Sequence, residues 1–459
     1  MRKETAEATP ALGGLAKSLK PRHLSMIAMG GAIGAGLLVA SSTAILTAGP
    51  AVVLTYLLAG TVLVMVMRML GEMSAQSPET GSFSVYARRY IAPWAGFTVG
   101  WLYWWFWSVT VAIEATAAAT IISSWWPTAP QWAVALALVL AFLVLNLFSV
   151  RSYGEAEFWF SSVKIAAIVI IITVGVLAVV GVIPNSTASL SNYTAGAGFF
   201  AHGAGAIFTA LLAVIFSMFG AEIATVAAGE SENPAQAVTK AVRSVIFRVL
   251  FFYVGSVAIT LLVVPWTAIE SGKSPFVTMF ELLGLPYAGL IMNVVVLTAL
   301  LSCLNASLYA ASRMVFALAE QGDAPATFSL LSSARAPRNA IMLSSTVGLA
   351  ATALNYFMPD QVFTLLVNST GGIGIFVWLM VAFSHLRSHR LQPQGTSAAL
   401  TLRSPGYPWA NYLLIAGLIS LLIYMGITQA HRVEVLLSVT VALILAGVGY
   451  ARQSSASAR

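Results

Sequence analysis

The chain has 459 residues, of which 59% are hydrophobic and 8% charged, with a mean hydropathy of +0.86. A soluble domain carries roughly 25% charged residues, so this composition excludes a water-soluble globule and makes lipid the solvent. The net charge of +7 would suit an anionic partner, but membrane orientation accounts for it, and no nucleic-acid partner is expected.

Residues 1–23 are polar and basic and read as a cytoplasmic tail, with disorder expected over 1–20. The first apolar run continues as a full span, so no cleavable signal peptide is expected. At roughly 20 apolar residues per crossing, the apolar runs predict twelve helices. They fall near 24–46, 50–72, 95–123, 131–149, 158–183, 204–228, 244–266, 277–303, 340–358, 362–385, 409–428 and 433–451. The fifth takes its inner edge at Glu157. With the N-terminus inside, all of the 23 lysines and arginines except Lys273 and Arg432 fall on the cytoplasmic side. That positive-inside asymmetry puts both termini in the cytoplasm and fits an even number of spans.

The loop SPETGSFSVYARRY (77–90) joins turn residues to an amphipathic run. It either lies on the inner membrane surface or is a plain connector. Outer loops are short and nearly uncharged, which argues against a large ectodomain. Residues 386–451 supply a cytoplasmic loop and spans 11 and 12, and residues 452–459 a cytoplasmic tail.

Span 1 carries MGGAIGAGLL (29–38), with four glycines in an apolar segment, although glycine costs about 1 kcal/mol against alanine inside a helix. Gly30 and Gly34 form a GxxxG spacing, which alone would read as a helix-packing face. Span 6 carries FSMFGAEI (216–223), a second glycine-containing break, with Glu222 in it. An odd repeat of five spans inverts topology, so 24–183 and 204–385 read as two inverted five-helix halves, with spans 11 and 12 outside them. Broken helices at corresponding positions of two halves point to a transporter's binding site. GAIGAG has the wrong glycine spacing for a dinucleotide fingerprint, and no strand precedes it.

Three ionisable residues fall inside spans: Glu114 near mid-depth of span 3, Glu222 in the span 6 break, and Lys164, roughly 10 Å above the inner edge of span 5. Each would cost about 2.5–3.5 kcal/mol near the bilayer centre, so each should face a cavity or a partner. A structural ion pair, or a snorkelling lysine, is the competing reading. The run GWLYWWFW (100–107) is read mostly as packing and an interfacial belt, whereas Phe216, beside the break, suits a lid.

His23, His202, His385, His389 and His431 lie at loops or span ends, and none is assigned to a metal or to catalysis. The single Cys303 excludes an intramolecular disulfide. The chain lacks GxxxxGK[ST], HExxH and a nucleophile elbow, which points away from an ATP-driven pump and from an intramembrane enzyme.

Six segments, LKPRHLSMIAMGGAIGAGLLVASS (19–42), AGPAVVLTYLLAG (48–60), GEMSAQSPETGSFSVYA (71–87), SVRSYGEAEFWFSSVKI (149–165), FSMFGAEIATVAAGESENP (216–234) and SCLNASLYAASRMVFALAEQGDAPA (302–326), carry motifs that are specific in combination. Together they resemble the amino acid permeases of the amino acid–polyamine–organocation superfamily, and the resemblance covers nearly the whole chain. GWLYWWFW with Glu114, plus SCLNASLYAASRM, is most similar to the γ-aminobutyrate permeases. The resemblance implies an all-α integral membrane protein of the LeuT-type fold: twelve transmembrane helices, two inverted five-helix repeats with broken helices 1 and 6, and two extra C-terminal helices. It implies that backbone N–H groups of Gly34, Ala35 and Gly36 hold a substrate carboxylate, and that carbonyls of Ala32, Phe216 and Phe219 hold its ammonium. Phe216 matches the aromatic gate, and Lys164 the lysine that stands in for a sodium ion in proton-coupled members; Glu114 and Glu222 are taken as pocket residues. Ala35 replaces the frequent Ser or Thr of the family, keeping the backbone donor and losing a hydroxyl. The function implied is proton-coupled import of an amino acid, γ-aminobutyrate or a related small zwitterion, across a bacterial inner membrane, with no cofactor or metal. Exchange on the same fold, and another neutral or cationic amino acid as substrate, stay open. Paired broken helices argue against a channel, and the lack of soluble domains against a sensor.

Overall fold

The computed structural model describes residues 26, 33–77, 79, 82–147, 150–184, 186–194, 197–223, 225, 234–332, 335–359, 361–391 and 403–457. Among these residues there is no strand. The helices, in chain order, are α1 Ala35–Leu38, α2 Ser41–Ala48, α3 Val52–Gln76, α4 Phe83–Tyr90, α5 Pro93–Trp125, α6 Gln131–Asn146, α7 Val150–Val179, α8 Gly205–Thr209 and α9 Leu211–Met218. They continue with α10 Pro234–Phe247, α11 Ser256–Val263, α12 Pro275–Leu282, α13 Ala288–Glu320, α14 Arg338–Phe357, α15 Val362–Leu391, α16 Trp409–Ile427 and α17 Arg432–Ser457. A π-helical turn over Arg248–Gly255 joins α10 to α11.

Nine apolar helical stretches among the described residues are long enough to cross a membrane, and α6 is a shorter apolar helix. One of the nine, Ser41–Gln76, has 36 residues. As one helix it would be about 54 Å long, far beyond the ~30 Å hydrocarbon core. The chain divides it at Gly49, whose φ of 61° is open to glycine, followed by Pro50 in a 3-10 turn. The division falls where spans 1 and 2 are expected to part.

α5 forms the centre. It packs against α4, α6, α13, α14, α15 and α17, as suits a helix that is apolar on most of its circumference. Its aromatic run is mostly packing: Tyr103, Trp104, Phe106 and Trp107 are buried. Trp101 and Trp104 meet edge to face at 5.1 Å, and Trp104 Nε1 donates to Ser344 Oγ at 3.0 Å. The outer helices show the opposite pattern. Leu413 and Ile423 on α16, and Leu436 and Leu443 on α17, are exposed, as lipid-facing residues would be.

The apolar span of α7 runs over Glu157–Val179, with its inner edge at Glu157 as expected, although the helix itself begins seven residues earlier, at Val150, and Glu157 is fully buried. Two expectations change. The run expected as span 8 (277–303) is divided between α12 and α13. Gly284 at φ 63° and Tyr287 at φ 59° turn the chain there, and the long helix extends to Glu320. Finally, α4 does not lie free on a surface. Phe83, Ser84, Tyr86 and Ala87 are buried against α5, Arg88 pairs with Asp323, and Arg89 pairs with Glu79 at 2.9 Å.

Candidate functional site

In the two glycine-containing segments, Ile33 and Gly34 are non-helical, and so are residues 219–222; residues 30–32 lie outside the described residues. Gly34 is extended (φ −147°, ψ −152°) and α1 starts at Ala35. α9 stops at Met218, Phe219 is extended, and Gly220 takes φ 116°. The two breaks touch. A Cβ on Gly36 would overlap Ser217 Cα, and one on Gly34 would lie 2.5 Å from Cys303 Sγ and 2.6 Å from a Glu114 oxygen. At Gly36 the neighbour is backbone, which demands glycine; at Gly34 it is the side chains of Cys303 and Glu114.

A narrow cavity lies at this junction, lined by Gly34, Gly36, Phe106, Trp107, Thr110, Glu114, Phe216, Ser217, Phe219 and Cys303. Its centre has room for about a water molecule. Phe106 and Phe219 pack with tilted rings at 4.2 Å, and Phe219 stacks on Trp378 at 5.4 Å. Across the cavity Ala35 N–H donates to both carboxylate oxygens of Glu114, at 3.0 Å each, with both residues buried. Glu114 thus occupies a backbone donor at the start of α1, where the free N–H groups of a first turn favour negative charge.

Of the candidate residues, Gly34, Gly36, Glu114, Phe216 and Phe219 meet at the cavity, and Ala35 reaches it through Glu114. Ala35 N–H is therefore not vacant: the acid expected elsewhere in the pocket holds it. The Phe216 carbonyl already accepts from Phe219 N–H at 3.2 Å, leaving it one lone pair to offer. Ala32 lies outside the described residues.

Glu222 is not among the cavity-lining residues. It folds back on its own segment and accepts Gly220 N–H at 3.1 and 3.0 Å. A carboxylate two residues past a glycine with positive φ is well placed to satisfy that turn, so its role here is to hold the break.

Lys164 is fully buried, with Nζ 3.5 Å from Glu157 Oε1. Glu157 also accepts from Ser161 Oγ at 3.1 Å and from Ser302 Oγ at 2.9 Å. Residues 27–32 of the expected span 1 lie outside the described residues.

Sequence reasoning passed over Thr110, Ser217 and Cys303 as cavity residues, and read Phe106 and Trp107 as packing. Thr110 precedes Glu114 by four residues, one helical turn, which places both on one face; that spacing was the available signal. Nothing local marks Cys303, which faces Gly34 from α13.

Comparison with known proteins agrees with this geometry. The amino acid permease family profile matches residues 23–451. A protein named "Probable GABA permease" from Pseudomonas aeruginosa is 47% identical over 426 residues, spanning 92% of this chain and 89% of the relative. The γ-aminobutyric acid permease of Bacillus subtilis is 44% identical over 93% of this chain and 91% of its own length. An aromatic amino acid transport protein of Corynebacterium glutamicum is 40% identical over 89% of this chain and 90% of its own length. In fold, the chain resembles a manganese transporter of Eremococcus coleocola, with a TM-score of 0.57 at 12% identity over 96% of this chain and 97% of that one. With helices and no strand among its described residues, and matched to the family profile from residue 23 to residue 451, the chain belongs to the amino acid permease family.

Proposed function

We propose that the chain is a secondary active transporter that imports γ-aminobutyrate, or a related small zwitterion, by proton symport with alternating access. In this reading it is a multi-pass protein of a bacterial inner membrane with twelve spans and both termini in the cytoplasm. Residues 24–183 and 204–385 form the two inverted halves of the transport core. Residues 386–451 add a loop and two helices, and 1–23 and 452–459 are tails. The names and identities of the γ-aminobutyrate permeases support the substrate class.

The observation that carries the reading is the pairing of Ala35 N–H with the Glu114 carboxylate. A zwitterion crossing the membrane needs partners for both charges, because burying either unpaired is prohibitive. The first amide of α1, Ala35 N–H, already binds a carboxylate, so this helix start suits the carboxylate of a substrate. An arriving substrate would compete with Glu114 for the amide of Ala35, with Gly34 and Gly36 beside it. Two carboxylates at one amide repel each other, so Glu114 must move or take a proton as substrate arrives. Once displaced, it is an acceptor for the substrate ammonium, together with the Phe216 and Phe219 carbonyls. The narrow cavity requires Phe216 to swing for entry, which suits a gate. Lys164, paired with Glu157, is the residue assigned to proton coupling: its proton loss would loosen the contacts that hold span 1.

The test is uptake of labelled γ-aminobutyrate into cells in competition with unlabelled γ-aminobutyrate, proline, lysine, phenylalanine and alanine. Competition by γ-aminobutyrate and weaker competition by the α-amino acids is expected. Competition by lysine or phenylalanine alone would contradict the substrate assignment.

A further inference from the structure

Away from the cavity, α3 and α15 bring together a set of groups that transport chemistry does not use. Glu72 sits in the last turns of α3, and His385 and His389 in the last turns of α15. The two histidines are four residues apart and so share a helix face. His385 Nε2 lies 3.0 Å from one Glu72 oxygen and His389 Nε2 lies 3.0 Å from the other. One ligand atom from each of the three falls within 4.8 Å of the others. We infer that Glu72, His385 and His389 form a binding site for a borderline divalent transition-metal cation, for which Zn²⁺ is the natural probe.

The donor set supports this. Two imidazoles and one carboxylate are a recurring three-ligand set for zinc that leaves a fourth position for water. Hard cations such as Mg²⁺ and Ca²⁺ prefer all-oxygen sites. Tetrahedral ligands around zinc stand about 3.3 Å apart, so small side-chain shifts would complete the geometry. Glu72 and His385 are buried, whereas the His389 side chain is 23% exposed, which gives the cation a way in.

The surrounding groups fix these ligands as outer-shell partners do in metal sites. His385 Nδ1 faces the Asn411 side chain, with Oδ1 at 3.3 Å and Nδ2 at 3.1 Å. That amide can accept an Nδ1 proton, which leaves Nε2 a lone pair for a metal. It can equally donate to Nδ1, which leaves Nε2–H to donate to Glu72. The Ser404 N–H donates to Glu72 Oε2 at 2.7 Å, holding one oxygen while the other stays available. The Tyr407 ring stacks on His389 at 4.2 Å. A bound cation would tie the end of α3 to the end of α15.

The competing possibility is a latch of hydrogen bonds alone, in which Glu72 bridges two imidazole N–H groups. The experiment titrates Zn²⁺, and separately Mg²⁺, into the purified, detergent-solubilised full chain after tag removal. It uses isothermal calorimetry and thermal unfolding, on wild type, His389→Ala, His385→Ala and Glu72→Gln. The expected result is one saturable Zn²⁺ per chain that raises the melting temperature, at least tenfold weaker in His389→Ala, with no comparable effect of Mg²⁺. Should either buried-residue variant fail to fold, His389→Ala and His389→Gln carry the comparison, because this side chain is partly exposed. Absence of saturable binding in wild type, or binding unchanged in the His389 variants, would overturn the site and leave the latch.

Discussion

Glu114 serves two ends at once. Buried among aromatic side chains, its carboxylate satisfies Ala35 N–H, and a buried amide left unpaired costs about 1–3 kcal/mol. Yet a charged hydrogen bond is roughly twice as strong as a neutral one, so the same contact opposes any incoming carboxylate. The variant Glu114→Gln keeps an acceptor oxygen and removes the charge. It should bind γ-aminobutyrate more tightly, by up to about tenfold, with little change in melting temperature, as read by calorimetry. Weaker binding would assign Glu114 to the substrate ammonium alone. The buried pair of Lys164 and Glu157 makes the second residue-scale prediction. Removing one partner of a buried pair costs about 3–5 kcal/mol, so Glu157→Gln should lower the apparent melting temperature, and Lys164→Met in that background should restore part of it. Equal melting temperatures for all three proteins would deny the pair its structural weight. The positions of Glu114 and Lys164 were legible in the sequence because charge inside an apolar span is conspicuous. Their partners were not. A backbone N–H 79 residues away leaves no trace in residue type, and the edge position of Glu157 does not reveal that its carboxylate turns in to pair with Lys164.

The two breaks work as elements because α1 and α9 come into backbone contact. At Gly36 no side chain fits against Ser217. The variant Gly36→Val should therefore push the breaks apart, abolishing substrate-dependent thermal stabilisation while the protein still elutes as a single species. Retained stabilisation would show that the contact is incidental. The breaks themselves were readable from glycines set in apolar runs five spans apart, and the division at Gly49 from its Gly-Pro pair. The boundary near residue 277 was not, because apolarity alone cannot separate the short helix α12 from the long one that follows. Its signal was turn chemistry, Gly284 and then Pro286, which an apolar run masks. For Glu222 the sequence left a structural role beside pocket contact, since holding a turn and facing a cavity call for the same acid at the same place, and its bonds to Gly220 N–H favour the first.

For the whole molecule, composition alone decides the solvent, and the lipid-facing leucines and isoleucines of α16 and α17 fit that decision. The proposed orientation can be probed with a membrane-impermeant maleimide, since Cys303 is buried and gives a low background. Lys273→Cys should label in intact cells and Arg338→Cys only after permeabilisation; the reverse would invert the topology. The repeat symmetry and the coupling ion belong to this scale as well, and residue chemistry speaks to them only through Lys164 and Glu114. The most direct measurement is γ-aminobutyrate uptake by the purified chain in liposomes under an imposed inward proton gradient. Accumulation above the external concentration, collapsed by a protonophore and absent in Lys164→Ala, is the predicted result. No accumulation of γ-aminobutyrate, or flux that needs internal substrate and ignores the gradient, would contradict proton-coupled import.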